Sequence, residues 1–196
     1  RIGDLLKVVG RVLPMALEPL DIEGKFENNG QASVVRGQVQ VAVATGKVKE
    51  LRLIPSNPKV TPEAIAAIAD ADWITFGPGS WLSSVMPHFL FIEQADAFKN
   101  SPAKKIMIFN LPDKSTSDEF SGISLEEHLQ LVLDHVPDLT FDIALIDKVF
   151  EGKEPGFTQL VEKCGGRVIT LDLADNVVNF HHDKNKLISA FTHIFS

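Results

Sequence analysis

Short apolar runs and longer amphipathic segments alternate along the chain from Thr61 to its end. Each run is almost wholly apolar, which is typical of strands buried on both faces of a sheet. The segments between them repeat apolar residues at the spacing of a helix. This alternation predicts a doubly wound α/β fold on a mostly parallel sheet. The predicted strands are 73–76, 105–109, 141–146 and 167–173, and the predicted helices are 80–99 with a break at Pro87, 125–136, 157–164 and 184–195.

Start and stop signals support several of these helices. Thr61 precedes a proline and an alanine-rich stretch, which predicts a helix that is capped by Thr61 and ends near residue 71. Ser124 and Glu127 have the spacing of a capping box, and Asp183 stands where an N-cap belongs. Gly165 follows a predicted helix, as a C-terminal cap commonly does.

The part of the chain before Thr61 has a different pattern. Two partly alternating runs between residues 32 and 54 flank the sequence Ala-Thr-Gly-Lys at 44–47. A short glycine-containing turn between such runs predicts a β-hairpin. We therefore expect one α/β domain over residues 1–196, with 32–54 as an accessory antiparallel hairpin.

Composition and charge narrow the class of protein. A chain of 196 residues that is 44% hydrophobic and 23% charged has the composition of a globular protein. Its formal net charge of −7 argues against a nucleic-acid partner, because phosphate backbones are bound through clustered Lys and Arg. The one cysteine, Cys164, excludes an internal disulfide and a multi-cysteine zinc site, and it fits a cytoplasmic location.

The sequence predicts no membrane anchor. Glycines, prolines and a histidine interrupt the most apolar stretch, 73–92, so it lacks the roughly twenty unbroken apolar residues of a membrane span. The start of the chain does not have the pattern of a signal peptide. Because Arg1 rather than methionine comes first, we expect further sequence upstream.

The segment with the clearest chemical signature is I-T-F-G-P-G-S-W-L-S-S at 74–84, where a predicted strand passes through a glycine-rich turn into a helix. Glycines let the backbone approach a ligand, and a helix N-terminus presents N–H groups and a partial positive charge that favour phosphate. The alternative is an ordinary strand-to-helix turn in which Ser80 serves only as the N-cap. The predicted ligand-binding residues here are Gly77, Pro78, Gly79, Ser80, Ser83 and Ser84.

Two further candidates lie near the same predicted sheet edge. Asn110 ends the run K-K-I-M-I-F, and Leu111 opens a polar loop that extends to Gly122. Ligands of open α/β sheets bind at this edge, where an Asn amide can contact a ribose or a base. Asn is also common after strands, so a purely structural role stays open. The other candidate is His181 or His182 in the sequence F-H-H-D before the last helix, and of the two His181 is the predicted ligand-binding residue.

The residue pattern marks no catalytic group. No Ser-His-Asp spacing suggests a nucleophile, and the chain has no tyrosine. His128 and His135 lie seven residues apart on one predicted helix, and we expect them on a solvated face with their acidic neighbours. We therefore predict neither a catalytic residue nor a metal site from the pattern alone.

A set of motifs in consistent order resembles one known family. The sequence carries G-R-V-L-P-M-A-L-E-P-L-D-I-E-G from Gly10, P-S-N-P-K-V-T-P-E-A-I-A-A-I-A-D-A-D-W-I from Pro55, and G-P-G-S-W-L-S-S-V-M-P-H-F-L from Gly77. Asn110-Leu111, the E-H-L at 127–129 and His182-Asp183 follow in the same order. Together these motifs resemble the YvcK/CofD family, whose YvcK branch contains the gluconeogenesis factors.

The resemblance implies a Rossmann-like three-layer fold in a cytoplasmic regulator of cell shape and carbon-source use. Such a protein would hold a nucleotide sugar such as UDP-N-acetylglucosamine with the G-P-G-S turn, the serines after it, and the Asn110-Leu111 loop. The family's N-terminal glycine-rich turn has no counterpart here, so the chain would be the C-terminal part of a longer family domain. The family has Arg where this chain has His181, and a titratable imidazole should weaken a phosphate contact there.

The same resemblance leaves other functions open. The CofD branch implies a transferase that moves 2-phospholactate from a guanosine diphosphate carrier to a deazaflavin, with or without a Mg²⁺ ion beside the phosphates. A third option is an interaction module whose pocket is vestigial. We expect a small nucleotide ligand, and the sequence leaves open whether the protein forms a homo-oligomer.

Overall fold

Two sheets, one antiparallel and one parallel, organise the part of the chain that the computed structural model describes, which is residues 10–112, 123–176 and 181–196. The strands are β1 (Asp21–Asn28), β2 (Gln31–Arg36), β3 (Lys47–Ile54), β4 (Trp73–Phe76), β5 (Lys104–Ile108), β6 (Ile143–Asp147) and β7 (Arg167–Leu171). The α-helices are α1 (Gln38–Ala42), α2 (Pro62–Ala69), α3 (Met86–Leu90), α4 (Ile92–Asn100), α5 (Leu125–His135), α6 (Pro155–Lys163) and α7 (Lys184–Phe195). A π-helical turn (Trp81–Val85) leads directly into α3, and a 3-10 turn (Lys148–Phe150) follows β6.

The parallel sheet has the order β4-β5-β6-β7 and confirms the predicted α/β class. Side chains alternate between its two faces, and helices cover both. One face carries Met107 and Phe109 into a core shared with α3, α5 and α6. The other face carries Ile106 and Leu145 against α7. The result is three layers, with helices packed on both faces of the parallel sheet.

Full burial holds for the central strands but not for the outer ones. Every residue of β6 is buried, as is every residue of β5 after its first. In β4 the side chain of Thr75 is exposed and only Phe76 is buried, and all five residues of β7 are at least partly exposed. The sequence pattern did not reveal this difference because the outer strands are as apolar as the central ones.

The structure contains the predicted antiparallel element, but the two strands of the predicted 32–54 hairpin do not pair with each other. Strand β1 lies in the centre of a sheet with the order β2-β1-β3, and both pairings are antiparallel. The tight hairpin therefore joins β1 to β2 through Asn29 and Gly30, which both have positive φ. The second half of the predicted first strand forms α1 instead, after Gly37 with φ 108°. This arrangement lets Ile22 and Phe26 of β1 reach the main core.

Two predicted helix features are also corrected. The break expected at Pro87 occurs at Phe91, whose extended backbone separates α3 from α4. Pro87 lies in the first turn of α3. Backbone N–H groups in the first turn have no hydrogen-bond acceptor within the helix, so proline, which lacks an N–H, is tolerated there. Thr61 occupies the N-cap position of α2, but its hydroxyl donates to the Pro14 carbonyl at 2.6 Å rather than capping the helix.

The other predicted caps are confirmed. Ser124 and Glu127 form the reciprocal capping box of α5. The Asp183 carboxylate accepts from the N–H groups of Asn185 and Lys186 at the start of α7. Gly165 follows α6 with φ 83°, a conformation that favours glycine.

Lys105 is a charged residue in the buried part of the parallel sheet. Only 5% of it is exposed, and its Nζ donates to the carbonyl oxygens of Ser101 and Ala103 at 2.9 and 3.1 Å. Burial lowers the pKa of this amine, and the nearby Asp142 carboxylate opposes that effect. The ammonium group thereby satisfies carbonyls between the end of α4 and the start of β5.

His128 lies in the core, so its predicted place on a solvated face was wrong. It falls on the apolar stripe of α5 with Leu125, Leu129 and Val132, and only 1% of it is exposed. Its Nδ1 donates to the Ser124 carbonyl at 2.8 Å. Burial is the main cause that lowers its pKa from 6.5 to about 4. The folded protein therefore holds this imidazole neutral.

Replacement of His128 by Gln should reduce the acid sensitivity of the fold. The unfolded chain takes up a proton on His128 near pH 6.5 while the folded chain does not do so until about pH 4. Stability is therefore lost as pH falls through this window, by up to ~3 kcal/mol at 1.36 kcal/mol for each pKa unit. Urea titrations at pH 7 and pH 4.5 should show a smaller drop in the free energy of unfolding for His128→Gln than for the unaltered chain.

The exposed His193 provides the control, since it lies near the end of the same kind of amphipathic helix. His193→Gln should leave the pH dependence unchanged. An equal drop in His128→Gln and the unaltered chain would show that His128 does not carry this effect.

Candidate functional site

The turn that follows β4 lies at the carboxyl edge of the parallel sheet and depends on Gly77. This residue has φ 82°, in the region that favours glycine. A Cβ atom at Gly77 would lie 2.6 Å from the carbonyl oxygen of Ile108 at the end of β5. The chain can therefore turn here only because no side chain separates the ends of β4 and β5. A cis peptide bond joins Gly77 to Pro78.

Asn110 holds this turn against the end of β5. Its Oδ1 accepts from the Gly79 N–H at 3.2 Å, and its Nδ2 donates to the Gly79 carbonyl at 2.6 Å. One side-chain amide thus satisfies both backbone groups of one turn residue. The geometry gives Asn110 a positioning role, whereas its predicted ligand contact stays a prediction. Leu111, the next predicted residue, is 4% exposed and packs inward.

The serines after the turn differ in their surroundings. Ser80 is the N-cap of the π-helical turn, and its Oγ accepts from the Ser83 N–H at 3.2 Å. The two hydroxyls also lie 2.5 Å apart, so they share a hydrogen bond. Ser83 is 8% exposed, whereas Ser84 is exposed. A Cβ built on Gly79 would lie 3.6 Å from that of Ser84, which places the Ser84 side chain directly beside the turn.

Trp81 anchors the helical end of the turn in the core. It is fully buried and stacks on Phe109 with ring centroids 4.9 Å apart. Its Nε1 donates to the His128 carbonyl at 3.1 Å. The rings of Trp81 and His128 also pack edge to face, with their centroids 5.6 Å apart. Packing against β5 and α5 therefore fixes the direction in which the turn leaves the sheet.

A cavity of about 280 Å³ opens beside the turn. Residues that line it include Phe76, Gly77, Pro78, Ser84, His88 and Gln94. Pro78 is exposed and Gly77 half-buried, so other side chains do not pack the turn shut. Asn110 does not line this cavity but joins the turn through Gly79.

Residues 173–176 and 181–183 bring histidines to the same sheet edge. The Asp147 carboxylate, 2% exposed at the end of β6, accepts from the N–H groups of Leu173 and Ala174 at 2.7 and 3.0 Å. Ala174 in turn pairs with His182 in an isolated antiparallel bridge. His181, the predicted ligand residue, is exposed at this position.

His182 turns inward where His181 stays outside. Its Nε2 is buried and has no hydrogen-bond partner in the part of the chain that the structure describes. Burial lowers the pKa of His182, while the backbone of Phe109 and the Asp147 carboxylate oppose that effect. This imidazole therefore lies among the ends of the central strands. The sequence analysis offered either histidine as a ligand-facing residue and preferred His181, and the ligand contact of each stays a prediction.

Part of the predicted site lies outside the described residues. The polar loop after Leu111 falls there from residue 113 to 122, as does Phe180 of the F-H-H-D sequence. Within residues 10–112, 123–176 and 181–196, no group of three or more His, Cys, Asp or Glu side chains could hold a metal ion. In the same ranges, no helix is long and apolar enough to cross a bilayer.

The model of one protein family, described as 2-phospho-L-lactate transferase CofD, matches residues 1–184. The chain belongs to the CofD family. A relative from Mycobacterium tuberculosis, provisionally named a gluconeogenesis factor, is 38% identical over 150 residues, which are 74% of this chain and 43% of the relative. The gluconeogenesis factor of Halalkalibacterium halodurans is 31% identical over 151 residues, or 77% of this chain and 44% of that protein.

A solved structure confirms the fold of this CofD-family chain. The crystal structure of a UPF0052 family member from Bacillus halodurans has a TM-score of 0.76 and 26% sequence identity, and the match covers 97% of this chain. It covers 64% of that protein. This CofD-family chain thus spans less than half of the two curated relatives above and less than two thirds of the solved one.

Gly77→Ala in this CofD-family chain should destabilise the fold more than Gly165→Ala. Both glycines have nearly the same positive φ, 82° and 83°, but a Cβ at Gly165 would meet no atom within 4 Å. The strained φ costs about 1–2 kcal/mol in either variant. The contact with the Ile108 carbonyl should cost about 1–3 kcal/mol more at Gly77.

Chemical denaturation of both variants measures this difference in the free energy of unfolding. Equal losses would show that the ends of β4 and β5 can move apart without cost, and that the turn is not held as described.

Proposed function

We propose that this chain is the nucleotide-sugar-binding part of a cytoplasmic regulatory protein of the gluconeogenesis-factor type, which affects cell shape and carbon metabolism. Its ligand would resemble UDP-N-acetylglucosamine. The observation that carries the proposal is the Gly77–Ser80 turn, fixed by Asn110 at the carboxyl edge of a parallel sheet and open to a cavity. The names of the relatives from M. tuberculosis and H. halodurans support the regulatory type.

The local chemistry suits a phosphate bound by dipoles rather than by cations. The turn leads into the helical segment from Trp81 to Leu90, whose N-terminus carries a partial positive charge. Ser84 presents an exposed hydroxyl beside Gly79. Backbone N–H groups and hydroxyls at a helix start commonly hold a phosphate without lysine or arginine. An acidic chain with a net charge of −7 can therefore still bind a diphosphate at this point.

The arrangement favours binding over catalysis. Asn110 is engaged with the turn itself, and Trp81 and His128 pack in the core as supports for the turn. The hydroxyls of Ser80 and Ser83 are hydrogen-bonded to each other. We therefore propose that a partner protein distinguishes the ligand-bound form of this protein from its ligand-free form.

Isothermal titration calorimetry with UDP-N-acetylglucosamine tests the proposal on the full chain. We expect saturable binding with the unaltered protein. A folded sample that gives no heat at millimolar ligand would overturn the nucleotide-sugar function.

A charge at Ser84 should weaken this binding. Ser84→Asp places a carboxylate beside the turn and repels a diphosphate, so we expect about tenfold weaker binding, equivalent to ~1.4 kcal/mol. Ser84→Asn is the matched control because it has nearly the same size without the charge. If both variants bind like the unaltered protein, the phosphates do not lie at this turn.

A second candidate function follows from the description of the matching family model, 2-phospho-L-lactate transferase CofD. In this alternative the turn would hold the diphosphate of the donor while a deazaflavin accepts the 2-phospholactate group. The residues that position the acceptor would then come from sequence beyond this chain, since the chain spans less than half of its two curated relatives above. Purified protein that forms no product from both substrates with Mg²⁺ would exclude this activity.

A further inference from the structure

A buried polar side chain, that of Gln94, lines the cavity beside Gly77. Gln94 lies on the inner face of α4 and is only 5% exposed. Its Oε1 is buried and has no hydrogen-bond partner of good geometry in the described part of the chain. A buried amide oxygen without a partner costs roughly 1–3 kcal/mol, so native proteins rarely keep one that serves no purpose.

The rest of the cavity is uncharged. Phe76, Val85 and Phe98 supply apolar surface, and no Asp, Glu, Lys or Arg is among the described residues that line it. His88 also lies in the wall, where burial lowers the pKa of its imidazole and a side-chain hydrogen bond with Gln94 opposes that effect. This contact is too long or too bent to satisfy the Gln94 oxygen as a good hydrogen bond would. A charged group would lose its hydration here without gaining a counter-ion.

The size and position of the cavity suit one part of a larger ligand. Its volume of about 280 Å³ is just below the range of roughly 300–1,000 Å³ that is usual for whole small-molecule pockets. Gly77, Pro78 and Ser84 line it as well as forming or flanking the proposed phosphate turn. A ligand with its phosphates at the turn could therefore extend an uncharged end into the cavity.

We infer that this cavity binds the uncharged end of the nucleotide sugar, and that Gln94 Oε1 accepts a hydrogen bond from an amide-type or imide-type N–H of the ligand. The inference rests on the proposed function and adds a specificity residue to it. Two parts of the ligand carry such an N–H, the uracil ring and the acetamido group of the sugar. Both are neutral and planar, as the apolar walls require.

Gln94→Met tests the inference, because methionine has nearly the same length and cannot accept a strong hydrogen bond. We expect UDP-N-acetylglucosamine to bind about tenfold more weakly in calorimetry, the effect of one lost hydrogen bond of ~1.4 kcal/mol. Because the amide oxygen makes no hydrogen bond of good geometry in the described part of the chain, the variant should unfold at nearly the same temperature. A residue with only a structural role would instead lower the unfolding temperature.

Gln159→Met is the matched control, since Gln159 is exposed on α6 and lies outside the cavity lining. This variant should bind like the unaltered chain. UDP without the sugar distinguishes the two sources of the N–H. A tenfold loss that persists with UDP assigns Gln94 to the uracil ring, whereas a loss seen only with the sugar nucleotide assigns it to the acetamido group.

Unchanged affinity of Gln94→Met for both ligands, with the unaltered chain binding normally, would overturn this inference and leave the proposed function standing. Absence of binding by the unaltered chain would overturn both. A fall in the unfolding temperature together with unchanged affinity would assign Gln94 to the fold.

Discussion

The close approach of β4 and β5 at their carboxyl ends is the constraint on which the rest of the site depends. The chain leaves β4 through Gly77, directly against the Ile108 carbonyl, and Asn110 then ties the turn to the next strand through both backbone groups of Gly79. Parallel strands end at one edge, so loops from neighbouring strands meet there. In this chain Gly77 and Asn110 together hold the two loops in one fixed geometry.

Packing behind the turn keeps this geometry in place. Trp81 is buried between β5 and α5, and His128 accepts its indole N–H through the backbone carbonyl. The neutral state of His128 matters because burial makes a charged imidazole costly in this core. The π-helical turn and the α5 face are therefore one packed unit, and a ligand at the turn would bind to a preformed surface.

The sequence predicted most of the parallel part of the fold because each strand and helix there is a strong local pattern. Apolar runs at β5 and β6 are buried in full, and Ser124, Asp183 and Gly165 act as the caps that their positions indicate. The antiparallel sheet was harder to predict. Its central strand β1 contains Gly24 between charged residues, and glycine is needed there because the Phe26 ring lies over it, 2.5 Å from where a Cβ would be. Local propensity cannot reveal such a contact.

The candidate site was predictable in outline only. The G-P-G-S sequence and Asn110 mark the right edge of the sheet, but their hydrogen bonds to each other depend on register across two strands. Gln94 left a signal that could have been found, since it interrupts the apolar stripe of α4 between Phe91 and Phe98. The F-H-H-D sequence marked His181 and His182 together, but it could not show that His182, which pairs with Ala174 in an isolated bridge, has the buried ring nitrogen.

The buried amine of Lys105 has a practical consequence for the study of this fold. Its Nζ is bonded to two carbonyls at the junction of α4 and β5, and the residue is 5% exposed. Acylating reagents modify free, deprotonated amines that solvent can reach, so this lysine would react only while the junction is open. Its labelling rate would then report how often the first residues of β5 separate from α4, at the end of the strand opposite to the ligand edge.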